Sequence, residues 1–87
     1  MSMQLSARGQ APRRIVVTAA QVEPADSALS PSELDDKYNP EGGGEHPVFR
    51  RAHWRQDVAG ELTIKGYWEW VADVIQETQL GEVVLWH

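Results

Sequence analysis

The sequence predicts a small single domain of the α+β class, with elements in the order β-α-α-α-β, the N- and C-terminal strands paired and the helices on one face. A chain of 87 residues has the length of one domain. β-Branched and apolar runs stand near both ends of the chain, where they predict strands. Helix signals fall between these two runs, so the simplest assembly packs the helices against the strand pair.

Residues 1–12 have no hydrophobic period and are rich in Ser, Ala, Gly and Gln, which predicts a flexible N-terminal arm. Residues 13–87 form the predicted domain. Its first strand runs over residues 13–19, since Ile15-Val16-Val17-Thr18 is β-branched throughout. Residues 20–29 are predicted to be a polar connection.

A complete helix start follows this connection. Ser30 is placed as N-cap, Pro31 at the first helical position, Glu33 as the capping-box partner, and Leu29 next to Leu34 in a hydrophobic staple. The helix should end near residue 39, because the residue before a proline avoids the helical region. Residues 41–46 contain three consecutive glycines and are predicted to be a loop.

Two further helices are predicted in the second half of the chain. Residues 47–59 have a helical pattern that Gly60 ends, and Thr63 is placed to cap a helix over residues 64–78. The apolar stripe of that last helix consists of Ile64, Tyr67, Trp68, Val71, Val74 and Ile75. Residues 82–86 then predict the final strand.

Both predicted strands are apolar on both faces. The residues placed toward the helices are Ile15, Val17, Val83 and Leu85. The other face would hold Val16, Val84 and Trp86, although a face in contact with water normally carries polar residues. This pattern predicts that a third strand, a second copy of the chain or a partner covers the outer face.

Charge and composition narrow the class of function. The formal net charge is −5 and there is no cysteine, which predicts a cytoplasmic protein without a disulfide framework. No apolar run approaches the length of a membrane span. Direct nucleic-acid binding is not expected: Arg50, Arg51 and Arg55 flank Trp54, but the surrounding chain is acidic, whereas phosphate binding needs a basic surface.

No motif predicts an enzyme or a cofactor. The glycine run lacks the lysine and hydroxyl residue of a phosphate-binding loop, and no G-x-S-x-G turn is present. His46 and His53 provide the one alternative of this kind, a metal-dependent enzyme, but they lack the paired spacing of known zinc motifs. The prediction is a non-enzymatic protein with no cofactor and no metal.

The candidate binding residues lie on the last helix. Glu69, Asp73 and Glu77 recur every fourth position, about 6 Å apart, and form what we call the acidic ridge. The ridge could be a solvated face near Lys65, could pair with Arg51 and Arg55, or could dock on a basic partner. In the docking alternative the ridge would imitate the phosphate spacing of a nucleic acid.

Trp70 lies beside the apolar stripe on the helical wheel and has two interpretations. It could pack against the helix that carries Trp54, or it could be an exposed anchor for a partner, a role in which tryptophan is enriched.

These observations lead to two function hypotheses. The first is a small acidic protein-interaction module, an inhibitor or adaptor that occludes a basic partner surface through Glu69, Trp70, Asp73 and Glu77; small acidic regulators of this kind are common among phage and mobile-element proteins. The alternative is a structural homo-oligomer, such as a homodimer, or an assembly subunit, joined through Val16, Val84 and Trp86.

Overall fold

A computed structural model describes residues 14–86 and confirms the predicted fold class and element order. The strands are β1 (Arg14–Val17) and β2 (Val83–Trp86), and the α-helices are α1 (Pro31–Tyr38), α2 (Arg51–Ala59) and α3 (Tyr67–Leu80). The predicted arm over residues 1–12 lies outside the described residues. Between β1 and α1, where a polar connection is predicted, the chain forms two short 3₁₀ helices, Ala19–Gln21 and Pro24–Ala28.

The strand pair is antiparallel, with Val17 opposite Val83 and Val16 opposite Val84. Val17, Val83 and Leu85 are buried, as predicted for the face toward the helices, and Ile15 packs against the same core. On the other face Val16 is 38% exposed. β1 ends two residues earlier than predicted, because the Thr18 N–H donates to Gln21 Oε1 at 2.7 Å and starts the first 3₁₀ helix.

α1 begins as its sequence predicts. The Glu33 N–H donates to Ser30 Oγ at 3.2 Å, and the Ser30 N–H donates to Glu33 Oε1 at 2.8 Å. At the other end, Asn39 Oδ1 accepts the Gly44 N–H at 2.6 Å. Gly44 lies so close to this turn that a Cβ atom would stand 2.1 Å from the Tyr38 carbonyl oxygen, so only glycine fits there.

α2 starts at Arg51, four residues later than predicted. The N–H groups of Val48 and Phe49 donate to His46 Nδ1 at 3.1 and 3.2 Å, which holds residues 46–49 in a turn. Glu45 then caps the helix from outside, since its Oε1 accepts the Arg51 N–H at 2.9 Å.

α3 starts at Tyr67 with Gly66 as its N-cap, so the prediction that Thr63 caps a helix from Ile64 is wrong. Thr63 Oγ1 instead accepts the Lys65 N–H at 3.1 Å. Ile64 is fully exposed and does not belong to the apolar stripe. The rest of the stripe packs inward: Tyr67, Val71, Val74 and Ile75 are buried, and Trp68 packs against the core.

A series of aromatic contacts forms the centre of the core. Phe49 meets Trp70 edge-on, with ring centroids 6.2 Å apart, and Trp70 stacks on Tyr67 at 6.1 Å. Tyr67 in turn contacts the Trp54 ring at 5.8 Å. Large rings suit a chain of this size, because each buries more area than an aliphatic residue. Within residues 14–86, no helix has the length and apolar character required to cross a membrane.

Candidate functional site

The acidic ridge lies on the solvent side of α3. Glu69 and Glu77 are exposed, and the Asp73 side chain is about half exposed. Lys65, in the loop before the helix, forms an ion pair with Asp73. The hydrogen bond to Asp73, together with the nearby charges of Glu69 and Glu77, raises the pKa of Lys65.

One alternative was that arginines of α2 neutralise the ridge. In the structure Arg51 makes other contacts. Its Nε donates to the Gly44 carbonyl at 3.0 Å, and its guanidinium carbon lies 4.4 Å from the centre of the Tyr67 ring. Among the described residues, Lys65 is the cation that forms an ion pair with a carboxylate of the ridge.

Trp70 is 3% exposed, which contradicts the interpretation of this side chain as an exposed anchor. Its Nε1 donates to Asp57 Oδ2 on α2 at 2.9 Å, so the competing prediction of packing against the helix of Trp54 describes the structure. The wheel position alone could not separate these two cases, because the answer depends on where α2 lies.

A cleft of about 310 Å³ separates α3, the loop over residues 61–66 and β2. We call it the acidic cleft, because the charged side chains that line it are Asp57, Asp73, Glu77, Glu82 and Lys65. Apolar side chains, among them Leu62, Trp70 and Val74, line the remainder. Asp73 and Glu77 of the predicted ridge therefore share a site, whereas Glu69 does not line it.

Asp57 and Glu82 are the cleft residues that sequence reasoning missed. Asp57 lies on α2, and Glu82 lies in the short link between α3 and β2. Neither belongs to a periodic charge pattern. A tertiary contact, the hydrogen bond from Trp70 to Asp57, holds the α2 carboxylate at this position.

On the outer face of the strand pair, the structure places two of the three predicted interface residues side by side. Val16 is 38% exposed and Val84 is half-buried, and the two are direct cross-strand partners. Trp86 pairs with Arg14 in the register, but its side chain lies outside what the structure describes.

His46, one of the two histidines of the metal-enzyme alternative, is 1% exposed and has both ring nitrogens engaged. Nδ1 accepts two backbone N–H groups, so the proton of the neutral ring is assigned to Nε2, which lies 3.0 Å from Asp26 Oδ2. Burial lowers the pKa of His46 against the opposing pull of Asp26. The ring has no nitrogen left for a metal ion.

Asp26 completes a buried polar network around this histidine. Its side chain is fully buried and also accepts hydrogen bonds from Tyr38 Oη at 2.7 Å and Lys37 Nζ at 2.7 Å. Burial works to raise the pKa of Asp26, but the hydrogen bonds from Lys37, Tyr38 and His46 prevail and lower it. This network joins the 3₁₀ segment, α1 and the 46–49 turn.

A second cleft, lined in part by Arg50, Arg55 and the buried His53, lies beside Ile15. Arg50 is already paired with Glu45 at 2.8 Å. Across the described residues, no group of three or more His, Cys, Asp or Glu side chains is arranged to hold a metal ion.

Comparison with protein-family models, with curated proteins and with solved structures found no match to this chain.

Proposed function

We propose that this protein is a small non-enzymatic interaction module, an inhibitor or adaptor that binds a basic partner surface through the acidic cleft and the adjoining ridge. One observation carries the proposal: four carboxylates from α2, α3 and the link to β2 line a single cleft with one lysine among them. Clefts lined by one sign of charge concentrate the field and attract the opposite charge.

Two of these carboxylates are available for a partner. Glu77 and Glu82 are exposed and form no hydrogen bond or ion pair with another described side chain. Asp73 is held by Lys65 through an ion pair whose side chains are both about half exposed, and such a pair contributes little to stability. A cation from the partner can exchange with Lys65 at small cost.

Affinity capture with a charge-matched control tests this function. The double substitution Glu77→Gln and Glu82→Gln removes two charges from the cleft, whereas Asp36→Asn and Glu41→Gln remove two exposed charges elsewhere. Proteins captured from a nuclease-treated lysate are identified by mass spectrometry, and the affinity of each candidate is then measured at several salt concentrations. We expect the cleft variant alone to lose a basic partner and to show a weaker salt dependence of binding.

Equal retention of every captured protein by the two variants would contradict the proposal. Because neither cleft substitution removes an internal hydrogen bond, both variants should retain the free energy of unfolding of the parent within about 0.5 kcal/mol. A loss of capture can then be assigned to the surface.

The exposure of Val16 opposite Val84 favours a second candidate, a homo-oligomer joined through the outer face of the strand pair. Val16 does not line the acidic cleft, so Val16→Lys tests this face separately. If the candidate is correct, the parent chain has a mass in solution that is a multiple of 9.8 kDa and Val16→Lys returns it to the monomer. A parent chain that is monomeric at high concentration would rule the candidate out.

A further inference from the structure

We infer that the partner segment binds as an extended, basic strand added to the free side of β2, along the acidic cleft. This inference rests on the proposed function, since it names the form in which the basic partner is recognised. It is carried by the position of the cleft on the strand pair and by the composition of β2.

From its lining residues, we place the cleft beside the edge of β2 that is turned away from β1. Four consecutive residues, Glu82, Val83, Val84 and Leu85, line it, whereas none of the four residues of β1, all within the described part of the chain, does so. In an antiparallel pair, the backbone groups of alternate residues point away from the partner strand. Two of the four β2 residues therefore direct an N–H and a C=O toward this side.

Within the described residues the sheet has two strands, so one edge of β2 has no strand paired to it. The sequence of β2, Val83–Trp86, contains no lysine, no proline and no glycine, and its residues within the register form an unbroken ladder with β1. An unpaired edge of apolar residues is a template for another strand. The pairing of a strand to this edge would satisfy backbone groups that otherwise bond to water.

The charges beside the edge determine which strand it accepts. Asp73 and Glu77 form the α3 wall of the cleft, and Glu82 stands directly before β2. A second copy of β2 would bring its own Glu82 and α3 carboxylates next to these groups, and like charges at this range repel. A segment with lysine or arginine at alternate positions has the complementary charge.

The spacing of the two α3 carboxylates suits such a segment. Asp73 and Glu77 are one helical turn apart, about 6 Å along the axis. Side chains on one face of an extended strand recur about every 6.6 Å. Successive basic side chains can thus pair with successive carboxylates, while the intervening side chains point to the opposite face of the added strand.

A peptide series tests the inference with the whole protein. The probe is an acetylated, amidated heptapeptide of alternating lysine and valine. Two further peptides carry methyl groups on the backbone nitrogens, one at its lysines and the other at its valines. N-methylation removes backbone donors and leaves the charge unchanged. Binding is followed by amide chemical shifts and by hydrogen exchange of the ¹⁵N-labelled chain.

We expect the unmethylated peptide to bind, to slow amide exchange in Val83–Leu85 and to bind at least about tenfold more tightly than one of the two methylated peptides. Equal binding of all three peptides would overturn the strand-addition inference and leave the proposed function standing. Binding of none of them, or β2 amides that are already protected on both edges in the free chain, would overturn it as well. The proposed function would then be decided by the capture experiment, which does not require strand pairing.

Discussion

The buried Asp26 carboxylate shows at the scale of a single residue how a small core can include a charge. It has no exposed side-chain surface, yet Lys37, Tyr38 and His46 all donate to it. A buried carboxylate is tolerated only when such donors replace its water. The sequence offered no signal for this role, because the donors come from positions 11, 12 and 20 residues away along the chain.

Asp26→Asn is expected to lower the free energy of unfolding by about 2–4 kcal/mol. The amide keeps the shape of the carboxylate, but its NH₂ group would face donors in place of an acceptor. Asp36→Asn, an exposed substitution on α1, is the matched control and should change the free energy by less than about 0.5 kcal/mol. Urea denaturation of both variants provides the measurement, and equal stabilities would show that the network does not hold the fold.

The same network predicts that the protein loses stability in mild acid. Burial lowers the pKa of His46 from its ordinary value of 6.5. Above that pH, His46 is neutral in both states and contributes no pH dependence. Below pH 6.5, His46 binds a proton in the unfolded chain but not in the folded chain. The free energy of unfolding therefore decreases as pH falls from 6.5 toward the pKa of His46 in the folded state.

Asp26 extends this loss to lower pH. Its folded pKa is below 3.8, so a further decrease begins as pH falls through that value. Urea denaturation between pH 8 and pH 3, with an NMR titration of the His46 ring, checks both steps. A His46 resonance that titrates at or above pH 6.5 would contradict the argument.

At the scale of helices and strands, the sequence correctly predicted the helix start that has a complete capping motif. The Ser30 and Glu33 capping box placed the start of α1 correctly, since every partner lies within one helical turn. The starts of α2 and α3 were misplaced, because the side chains that set them do not stand in the capping positions predicted from the sequence. Glu45 and His46 set the start of α2 from outside the helix.

Matched isoleucines test the corrected start of α3. Ile64 is fully exposed before the helix, and Ile75 is fully buried within it. Ile75→Ala should cost about 2–5 kcal/mol, whereas Ile64→Ala should cost less than about 0.5 kcal/mol. A large loss of stability in Ile64→Ala, measured by thermal or urea unfolding, would instead support the predicted helix that begins at Ile64.

At the scale of the whole molecule, the fold class and the inward face of the strand pair were predictable, and the site was predictable only in part. Periodicity placed Asp73 and Glu77 on one face of α3. Periodicity could not predict that Asp57 and Glu82 line the same cleft, because their positions depend on the packing of α2, α3 and β2. For Trp70 the sequence left two interpretations open, and the packing of α2 against α3 decided for burial.

A single core should make unfolding cooperative. The buried residues form one cluster that includes β1, α1, α3 and β2. Tryptophan fluorescence and helical circular dichroism are therefore expected to change together in one urea transition. Two separated midpoints would show that the strand pair and the helices unfold independently.

The register of the strand pair also has a consequence for synthesis. Val17 and Val83 are direct partners although more than sixty residues separate them in the chain. A ribosome adds about 5–20 residues per second, so β1 waits several seconds before β2 exists. During that interval α1 and α2 can form from local contacts, whereas the ladder must close the longest loop of the fold and is expected to assemble last.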